Sequence, residues 1–440
     1  MMAQGKTVAV SSLSKRDTII SITIIGMLFF IFGFVTWVNA ILIPYFKIAC
    51  ELNHFQSYLV AFAFYIAYLV MSLPAGYLLK KIGFKKGMMV GFFIMALGAG
   101  LFVPAGFSRA YPIFLTGLFT LGVGLSILQT AANPYITILG DKERAAQRFS
   151  IMGICNKLAG IVAPLLFAAV ILRSSDNALF EQISSMQGAE KEQVLDELIA
   201  RVIVPYAVVA TVLLLLGLFV RYSPLPEIDT ETEDEQMAIS NASKNSILEF
   251  PHLVLGAFAI FFHVGSQVIA VDSIINYVAS TGIPFLEAKV FPSYTLTATI
   301  IGYLLGIAFI PKLMSQLTAL RVCTVSGLIL SMLVILVEGK IHLLGHDTDV
   351  SVWFIVLLGF ANSMIWAGVW PLALDNLGRF IKIGASLLIM GLCGNAIMPL
   401  IYGYLADTHG LKEAYWVLVP CYLYLIFYAY RGFKLKTWKK

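Results

Sequence analysis

Long apolar runs separated by short polar segments fill the chain of 440 residues. Most runs reach about 20 residues, the length that an α-helix needs to cross the hydrocarbon core of a bilayer. Lipid offers no hydrogen-bond partners to the backbone, so each run is expected to be a helix. The twelve runs, numbered here as spans 1 to 12, lie at roughly 20–46, 55–79, 88–105, 112–139, 149–172, 202–222, 252–279, 291–311, 321–338, 351–376, 384–404 and 413–430.

The longest polar break on the side of the chain termini, residues 223–250, divides these spans six and six. Its acidic and proline-containing sequence is typical of a solvated linker. We therefore predict an all-α membrane protein with an N-terminal six-helix half at 1–222, a linker at 223–250 and a C-terminal six-helix half at 251–440. The polar segment 174–200 lies on the opposite side and is predicted to carry a short amphipathic helix.

The composition supports a membrane protein, because 59% of the residues are hydrophobic and only 12% are charged. Soluble domains carry about 25% charged residues. This difference excludes a soluble enzyme, a disordered chain and a nucleic-acid binder. Of the 30 Lys and Arg residues, 21 lie on the linker side, eight lie on the opposite side, and Lys157 lies within a span. The positive-inside rule then places both termini in the cytoplasm, and we expect a bacterial inner-membrane protein.

No motif for catalysis, metal binding or redox chemistry accompanies the spans. The sequence contains no H-E-x-x-H, G-x-S-x-G or paired-Asp motif, so we predict that the chain is not an enzyme. Four of the five cysteines lie in apolar runs and none forms a C-x-x-C pair, which is typical of buried hydrophobic side chains. They are Cys50, Cys155, Cys323, Cys393 and Cys421. We predict no metal and no cofactor.

Spans 4 and 5 share an ordered set of signals with spans 10 and 11. The first pair contains, in order, Asn133-Pro134, Leu139-Gly140, Ser150, Met152-Gly153 and Pro164. The second pair contains Trp370-Pro371, Leu377-Gly378, Ser386, Met390-Gly391 and Pro399. Gly and Pro interruptions at matching positions in two repeats are typical of a transporter with its binding site between them.

At these residues the sequence resembles the fucose and glucose/galactose symporters of the major facilitator superfamily. The matching runs are NAILIPYFK (39–47), LVMSLPAGYLLKKIGFKKG (69–87), LQTAANPYITILG (128–140), MGICNKLAGIVAPL (152–165), HVGSQVIAVDSIINY (263–277) and WPLALDNLGRFIKIGASLLIMGLCGNAIMPLIYGYLAD (370–407). The resemblance implies the major facilitator fold of twelve transmembrane helices in two six-helix halves. It also implies a central hexose site and alternating access, usually with proton coupling.

Three positions depart from the pattern of these symporters, and each replaces an acid with a neutral residue. Ala40 stands where fucose symporters carry an acid in span 1, and Gln129 stands where they carry Glu in span 4. Gln267 stands where the glucose/galactose branch often carries Glu in span 7. The fold inference is unaffected, but proton symport through those acids is not possible here.

The candidate substrate site is built from polar residues within the spans, because such groups usually face the interior or a cavity. Most are amides, and an amide can both donate to and accept from the hydroxyls of a sugar. Trp370 stands where fucose symporters place a Tyr before Pro and is predicted to stack on the sugar ring. The predicted substrate-binding residues are Asn39, Gln129, Asn133, Asn156, Lys157, Gln267, Asn276, Asn362, Trp370 and Asn395.

The charged residues of the spans leave alternatives open. Asp272 is either the cation-coupling site or a polar residue lining an outer vestibule. Lys157 either contacts substrate or has a structural role as an ion pair or snorkelling side chain. Asp375 and Arg379, four residues apart at the end of span 10, are predicted to form a gating or structural salt bridge.

These observations together predict a secondary transporter that imports a hexose-type sugar, with a proton or sodium gradient as the driving force. The expected partners are the sugar, the ion and membrane lipid, with no nucleic acid, and we expect a monomer. Two alternatives remain, an uncoupled sugar facilitator and an efflux transporter for drugs or metabolites. The sequence does not identify the sugar, because stereochemical selection depends on distances among groups from six helices.

Overall fold

The computed structural model describes residues 7–8, 15–52, 54–171, 179, 183, 186–228, 241, 244–283, 288 and 290–438. These residues are mostly helical, and 11 of their helical segments are long and apolar enough to cross a membrane. The 11 segments correspond to every predicted span except the fifth. The fifth span is the helix Ala145–Ile171. The prediction of an all-α membrane protein is confirmed.

The helices of the first half follow the predicted spans closely. Spans 1 to 6 are Lys15–Ala49, His54–Ile82, Phe84–Gly100 with Phe102–Ser108, Tyr111–Ile138, Ala145–Ile171 and Ile203–Tyr222. A 3-10 turn, Lys142–Arg144, joins spans 4 and 5, and a further helix, Gly188–Ala200, precedes span 6. Two-residue strands lie at Thr7–Val8 and Glu227–Ile228.

The helices of the second half contain more breaks. Spans 7 to 12 are Pro251–Asp272 with Ile274–Ser280, Phe291–Phe309, Gln316–Leu336, Val350–Ala373, Ile381–Met390 with Gly394–His409, and Leu418–Tyr430. The 3-10 turns lie at Ile247–Glu249, Gly378–Phe380, Gly391–Cys393, Glu413–Val417 and Gly432–Lys434. A hairpin between spans 9 and 10 consists of the strands Lys340–Leu343 and His346–Asp349.

The chain forms two compact units, each described here by itself. The first, unit A, consists of Thr23–Ala132 and Cys155–Glu227. The second, unit B, consists of Met1–Ile22, Asn133–Ile154 and Ile228–Lys440. Unit B therefore contains the second half of the chain, the first residues of span 1 and the adjoining ends of spans 4 and 5. The division into halves at 1–222 and 251–440 stays a prediction.

The repeat seen in the sequence has a counterpart in the backbone at the ends of spans 4 and 10. Gly140 and Gly378 lie at matching positions and both have positive φ, 81° and 50° respectively. Glycine adopts this left-handed conformation without the steric cost that a Cβ would add. After each of these two spans the chain therefore passes through a left-handed glycine before the next helix begins.

The amphipathic helix predicted in 174–200 is present as Gly188–Ala200. Its buried residues are Leu195, Leu198 and Ile199. Its polar side contacts the ends of neighbouring spans through Arg109, which pairs with Asp196 at 3.1 Å, and through Lys191, which pairs with Glu51 at 2.6 Å. These ion pairs are partly exposed, so the apolar contacts supply most of the attachment.

The start of span 3 is capped by Glu227, which lies shortly after the end of span 6 at Tyr222. The Glu227 carboxylate accepts hydrogen bonds from the backbone N–H groups of Phe84 at 2.5 Å and Lys85 at 3.2 Å. The first N–H groups of a helix lack partners within the helix, so a carboxylate at this position stabilises them. Lys85 Nζ also donates to the carbonyl of Ser223 at 2.7 Å. The linker therefore begins attached to the loop between spans 2 and 3.

Candidate functional site

The predicted site residues divide between the two units. Gln129, Asn156 and Lys157 lie in unit A, and so does the backbone of Asn39, whose side chain lies outside the described residues. The others lie in unit B: Asn133, Gln267, Asp272, Asn276, Asn362, Trp370, Asp375, Arg379 and Asn395.

A row of aromatic rings runs through unit B from span 5 to span 10 and then to span 7. The ring centroids of Phe149 and Trp370 are 6.1 Å apart, and those of Trp370 and Trp366 are 5.5 Å apart. The imidazole of His263 follows at 6.5 Å from Trp366. Trp366 and Trp370 are one helical turn apart on span 10 and so share a face of the helix.

Trp370 is the centre of this row and carries a polar atom that the fold does not satisfy. Its side chain is fully buried. The described residues provide no hydrogen-bond partner for its Nε1. A buried N–H without a partner costs about 1–3 kcal/mol, and such groups are rare in folded proteins. Trp370 is therefore the strongest candidate in unit B for donating to a bound polar molecule.

Two amides of unit B also have buried polar atoms for which the described residues offer no partner. These atoms are Nδ2 of Asn362 and Oδ1 of Asn395. The carbonyl of Asn362 has a partner, because it accepts a hydrogen bond from the hydroxyl of Tyr422 at 3.2 Å. Asn362 therefore joins spans 10 and 12 through its carbonyl, and its NH₂ group keeps donating capacity.

The Tyr422–Asn362 hydrogen bond gives a prediction about stability. Tyr422→Phe removes the donor to a fully buried carbonyl, so we expect a loss of about 1 kcal/mol in the free energy of unfolding. Thermal unfolding of the purified protein measures the effect. Tyr404→Phe is the matched control, because Tyr404 is 69% exposed. Equal midpoints for the two variants would contradict the role given to Tyr422.

The predicted site residues of span 7 differ in how far they are buried within the protein. His263 is buried, Gln267 is half-buried, and Asp272 and Asn276 are exposed. The first helix ends at Asp272 and the second begins at Ile274. At the junction, the Ser273 hydroxyl hydrogen-bonds the carbonyl of Ile269 at 2.6 Å and lies 2.8 Å from the Tyr415 hydroxyl. The span predicted over roughly 252–279 therefore consists of two helices that meet at Ser273.

Span 11 packs against span 7 with almost no space between the two backbones. A Cβ on Gly394 would lie 2.2 Å from the carbonyl oxygen of Phe261, and a Cβ on Gly391 would lie 2.6 Å from that of Ala257. A larger residue at either position would force the helices apart. Asn395 follows Gly394 directly, so this close approach holds Asn395 beside span 7.

The first turns of span 5 pack against spans 8, 9 and 10, and we call this the span-5 contact. Gln147 Nε2 donates to the carbonyl of Ile307 at 2.8 Å, and the backbone N–H of Ala146 donates to Gln316 Oε1 at 2.7 Å. One turn further along, a Cβ on Gly153 would lie 2.4 Å from the ring of Tyr303. Together with the Phe149–Trp370 pair, these contacts fix the start of span 5 on the second half of the chain.

Asn133 lies in span 4 just before the proline within that helix. Its side chain is fully buried, and its backbone carbonyl accepts a hydrogen bond from the Thr137 hydroxyl at 2.8 Å. Proline removes a backbone hydrogen bond from a helix, and nearby Ser and Thr hydroxyls commonly satisfy backbone groups in such segments.

In unit A, the predicted residues connect spans 1, 2, 4 and 5. Gln129 Nε2 donates to the Tyr68 hydroxyl at 3.1 Å, and Asn156 Nδ2 lies 3.4 Å from the carbonyl of Phe29. Both amides are half-buried. Each therefore has a polar contact within the unit and a side chain that is still partly accessible.

Lys157 is a buried ammonium placed against an aromatic ring. Its side chain is 6% exposed, and Nζ lies 5.1 Å from the centroid of the Trp37 ring. A Cβ on Gly160, one turn further along span 5, would lie 2.8 Å from the same ring. The absence of a side chain at Gly160 thus lets Trp37 approach span 5 and meet the ammonium, a contact worth about 2 kcal/mol when desolvated.

The predicted Asp375–Arg379 pair needs correction. Span 10 ends at Ala373, and Asn376 has φ 58°, so the two residues are not on one helix. The Asp375 carboxylate pairs instead with Lys436 at 3.0 Å, while Arg379 donates to the carbonyl of Lys244 at 3.1 Å. The expected i,i+4 geometry fails because the chain turns between these positions.

These contacts of Asp375 and Arg379 also gather the linker and the C-terminal segment at the end of span 10. His252 Nε2 lies 2.9 Å from the carbonyl of Asp375, and Asn241 Nδ2 donates to that of Asn376 at 3.2 Å. Burial lowers the pKa of Lys244 more than the neighbouring Glu249 raises it. The role of this cluster as a gate stays a prediction.

Phe149, Tyr68 and Trp37 are the contact residues that the sequence did not single out. Phe149 and Tyr68 are apolar or aromatic residues in apolar runs, and nothing local distinguishes them from lipid-facing side chains. Trp37 carried a usable signal, because Trp in a membrane protein is enriched at the interfaces. Trp37 lies instead within the first apolar run, two residues before Asn39, and a Trp away from the interface is unusual.

Comparisons with known proteins agree with the fold and the family expected. The model of the Major Facilitator Superfamily matches residues 25–381. A glucose/galactose transporter of Brucella abortus is 33% identical over 424 residues, covering 96% of each chain. The L-fucose-proton symporter of Escherichia coli is 28% identical over 425 residues, covering 96% of this chain and 95% of that one.

The solved structures lead to the same fold. A crystal structure of the Escherichia coli fucose:proton symporter matches with a TM-score of 0.79 and 25% identity, covering 96% of this chain and 100% of that one. A proton:xylose symporter matches with a TM-score of 0.63 and 13% identity over 94% of this chain and 96% of that one, which supports the fold alone. The matched proteins transport solutes and are not enzymes, as predicted. With most of its length matched, this chain belongs to the Major Facilitator Superfamily and is a multi-pass membrane transporter.

Proposed function

We propose that this transporter imports a hexose-type sugar across the bacterial inner membrane by alternating access. The observation that carries the proposal is the fully buried Trp370, whose ring lies in an aromatic row and whose Nε1 has no partner among the described residues. An indole offers a flat apolar face to the C–H groups of a sugar and one N–H donor to a hydroxyl. The names of the two relatives, a glucose/galactose transporter and an L-fucose-proton symporter, support a sugar substrate.

The amides would supply the remaining hydrogen bonds to the sugar. Gln129, Asn156 and Gln267 are half-buried, and the buried atoms of Asn362 and Asn395 described above are one donor and one acceptor. A sugar hydroxyl can use either kind of partner. Asn39, Asn133, Asn276 and Lys157 complete the proposed set. A site of this composition recognises neutral polyhydroxyl compounds better than apolar drugs, so efflux of such drugs is the weaker alternative.

The span-5 contact would act as the gate on the linker side. Its hydrogen bonds, Gln147 to Ile307 and Ala146 to Gln316, hold span 5 on spans 8 and 9. Breaking them would separate Phe149 from Trp370 and expose the sugar to the cytoplasm. Because Trp370 belongs to both the aromatic row and this contact, occupation of the site and closure of the gate are linked.

We propose coupling to a proton, with sodium and uncoupled facilitation as the alternatives. The name of the fucose relative supports proton coupling. Asp272 is the candidate group, because it is a carboxylate at the end of the first helix of span 7 and is exposed to a proton or cation. A carboxylate with neighbouring carbonyls could also bind a hard cation such as sodium.

Asp272→Asn tests this assignment. If Asp272 carries the proton, the variant is expected to lose accumulation driven by a pH gradient and to keep exchange of sugar across the membrane. Exchange needs no net proton movement, so it serves as the internal control for folding and sugar binding. Unchanged accumulation in the variant would rule out Asp272 as the coupling group.

The proposed transporter has both termini in the cytoplasm. The excess of Lys and Arg on the linker side supports cytoplasmic termini. We also propose that the protein works as a monomer surrounded by bilayer lipid.

Uptake of radiolabelled sugars into proteoliposomes tests the proposed function. A panel of hexoses, 6-deoxyhexoses and amino sugars is assayed with no gradient, with a pH gradient and with a sodium gradient. We expect saturable uptake of at least one hexose-type sugar that is increased by one of the two gradients. Saturable uptake that neither gradient changes would identify a facilitator, and no saturable uptake of any sugar would overturn the proposal.

A further inference from the structure

The hairpin between spans 9 and 10 has two chemically different faces. Its strands pair in antiparallel register, with Ile341 opposite Thr348 and Leu343 opposite His346. Side chains alternate between the faces of a strand, so these four residues share one face. Lys340, His342, Asp347 and Asp349 share the other face, where Nδ1 of His342 lies 2.8 Å from Oδ1 of Asp347 and both side chains are exposed.

The strand His346–Asp349 attaches the apolar face to the ends of spans 8 and 10. The Trp353 indole donates from Nε1 to the hydroxyl of the buried Thr348 at 2.7 Å. The His346 ring lies 3.1 Å from the Tyr294 hydroxyl and 5.1 Å, between centroids, from the Phe291 ring. The apolar face of the hairpin therefore points toward these aromatic side chains, and its charged face points away from them.

The strand Lys340–Leu343 extends the same face beyond this support. Ile341 is 39% exposed and Leu343 is 41% exposed, although both point in the direction of the attached Thr348 and His346. Leu344, at the turn, is 63% exposed. Three neighbouring large apolar side chains thus form a surface that the described residues do not cover.

Two features identify the level of this surface relative to the bilayer. Trp and Tyr are enriched where membrane helices meet the lipid headgroups, and Trp353 and Tyr294 lie near the adjoining ends of their spans. The strand also follows span 9 closely, and Leu336 at the end of that span is 64% exposed. The hairpin therefore adjoins the ends of spans 8, 9 and 10, at the level expected for the lipid headgroups.

The turn of the hairpin has an apolar residue, Leu344, at a position where Gly or Asn would meet less steric strain. Leu344 and Gly345 have φ 52° and 85°, as in a type I′ turn. Gly and Asn favour these angles, and other side chains meet a steric cost of about 1–2 kcal/mol. A leucine that is strained and exposed in water has no stabilising role in the fold, but it has one if its side chain enters an apolar environment.

We infer that this hairpin lies on the bilayer, with Ile341, Leu343 and Leu344 inserted among the lipid headgroups of the leaflet opposite the linker. The contact is apolar, because the charges of the hairpin are of both signs and lie on the opposite face. The inference does not depend on which solute is transported. It assigns the loop between spans 9 and 10 to the lipid surface, so the outer ends of these spans are attached to the membrane.

Spin labels on the strand Lys340–Leu343 test whether the hairpin lies on the bilayer. Leu343→Cys and Ile341→Cys report on the apolar face, and the neighbouring His342→Cys and Lys340→Cys are matched controls on the other face. Each variant is reconstituted in vesicles of phosphatidylcholine and phosphatidylglycerol. The collision rates of the label with oxygen, which concentrates in lipid, and with a water-soluble nickel chelate are then measured. The unsubstituted protein, labelled in parallel, corrects for its native cysteines.

We expect the oxygen-to-nickel ratio to alternate along the strand, several-fold higher at 341 and 343 than at 340 and 342. High salt should leave the pattern unchanged, because the attraction is apolar. Equal access of the nickel chelate to all four positions would place the hairpin in water and overturn the inference. Protection of 341 and 343 from both reagents would indicate a protein partner or a second copy, and would overturn it equally.

Discussion

Trp370→Ala is expected to weaken sugar binding by about 30-fold or more, corresponding to about 2 kcal/mol for truncating a central aromatic contact residue. The physical reason is the combined loss of the apolar ring face and of the Nε1 donor, which the described residues leave without a partner. Trp370→Phe separates the two contributions. The phenylalanine keeps a ring for stacking, so we expect a loss of only about fivefold, or about 1 kcal/mol for one hydrogen bond.

Titration of the purified protein with a transported sugar measures both effects. Trp416→Ala is the control, because Trp416 is 45% exposed and lies apart from the aromatic row. Its affinity should match that of the unsubstituted protein. Affinities that fall equally in Trp370→Ala and Trp416→Ala would mean that the loss is not specific to the proposed site.

Gly153→Leu is expected to reduce sugar uptake by about tenfold, because a side chain at this position cannot coexist with the span-5 contact. A Cβ there would lie 2.4 Å from the ring of Tyr303, which is 6% exposed and has little room to move. Overpacking of this kind costs about 1–3 kcal/mol, or roughly 5- to 150-fold in the equilibrium between closed and open gates. We therefore expect a transporter that rests with its linker side open.

Gly100→Leu is the matched control, since a Cβ at Gly100 has nothing within 4 Å, and uptake should stay close to normal. The double variant Gly153→Leu/Tyr303→Ala makes space for the new side chain and is expected to recover part of the uptake. Normal uptake by Gly153→Leu alone would contradict the gating role of the span-5 contact. No recovery in the double variant would indicate that the defect has another cause.

The sequence predicts the helices of this fold well, because each is specified locally. An apolar run of sufficient length has no alternative to a helix in lipid, and the helix Gly188–Ala200 follows from its own amphipathic pattern. The end of span 10 was harder to predict. There the chain turns at Asn376 and Gly378, and the apolar run gives no warning that Asp375 is already outside the helix.

The partners of the site residues could not be predicted, because they depend on how distant helices pack. Trp370 could be selected from its position before Pro371, but its contact with Phe149 joins residues more than 200 positions apart. Lys157 could be noticed as a charge within a span, but its approach to Trp37 depends on the missing side chain of Gly160. Such contacts follow from shape, and spacing along the sequence does not encode them.

The most direct test of the proposed sugar site is an experimental structure of the protein with a transported hexose bound. We predict that the sugar lies against Trp370, with the C–H face of its ring within about 4 Å of the indole and one hydroxyl within hydrogen-bond distance of Nε1. A sugar bound elsewhere in the protein, with no contact to Trp370, would contradict the account.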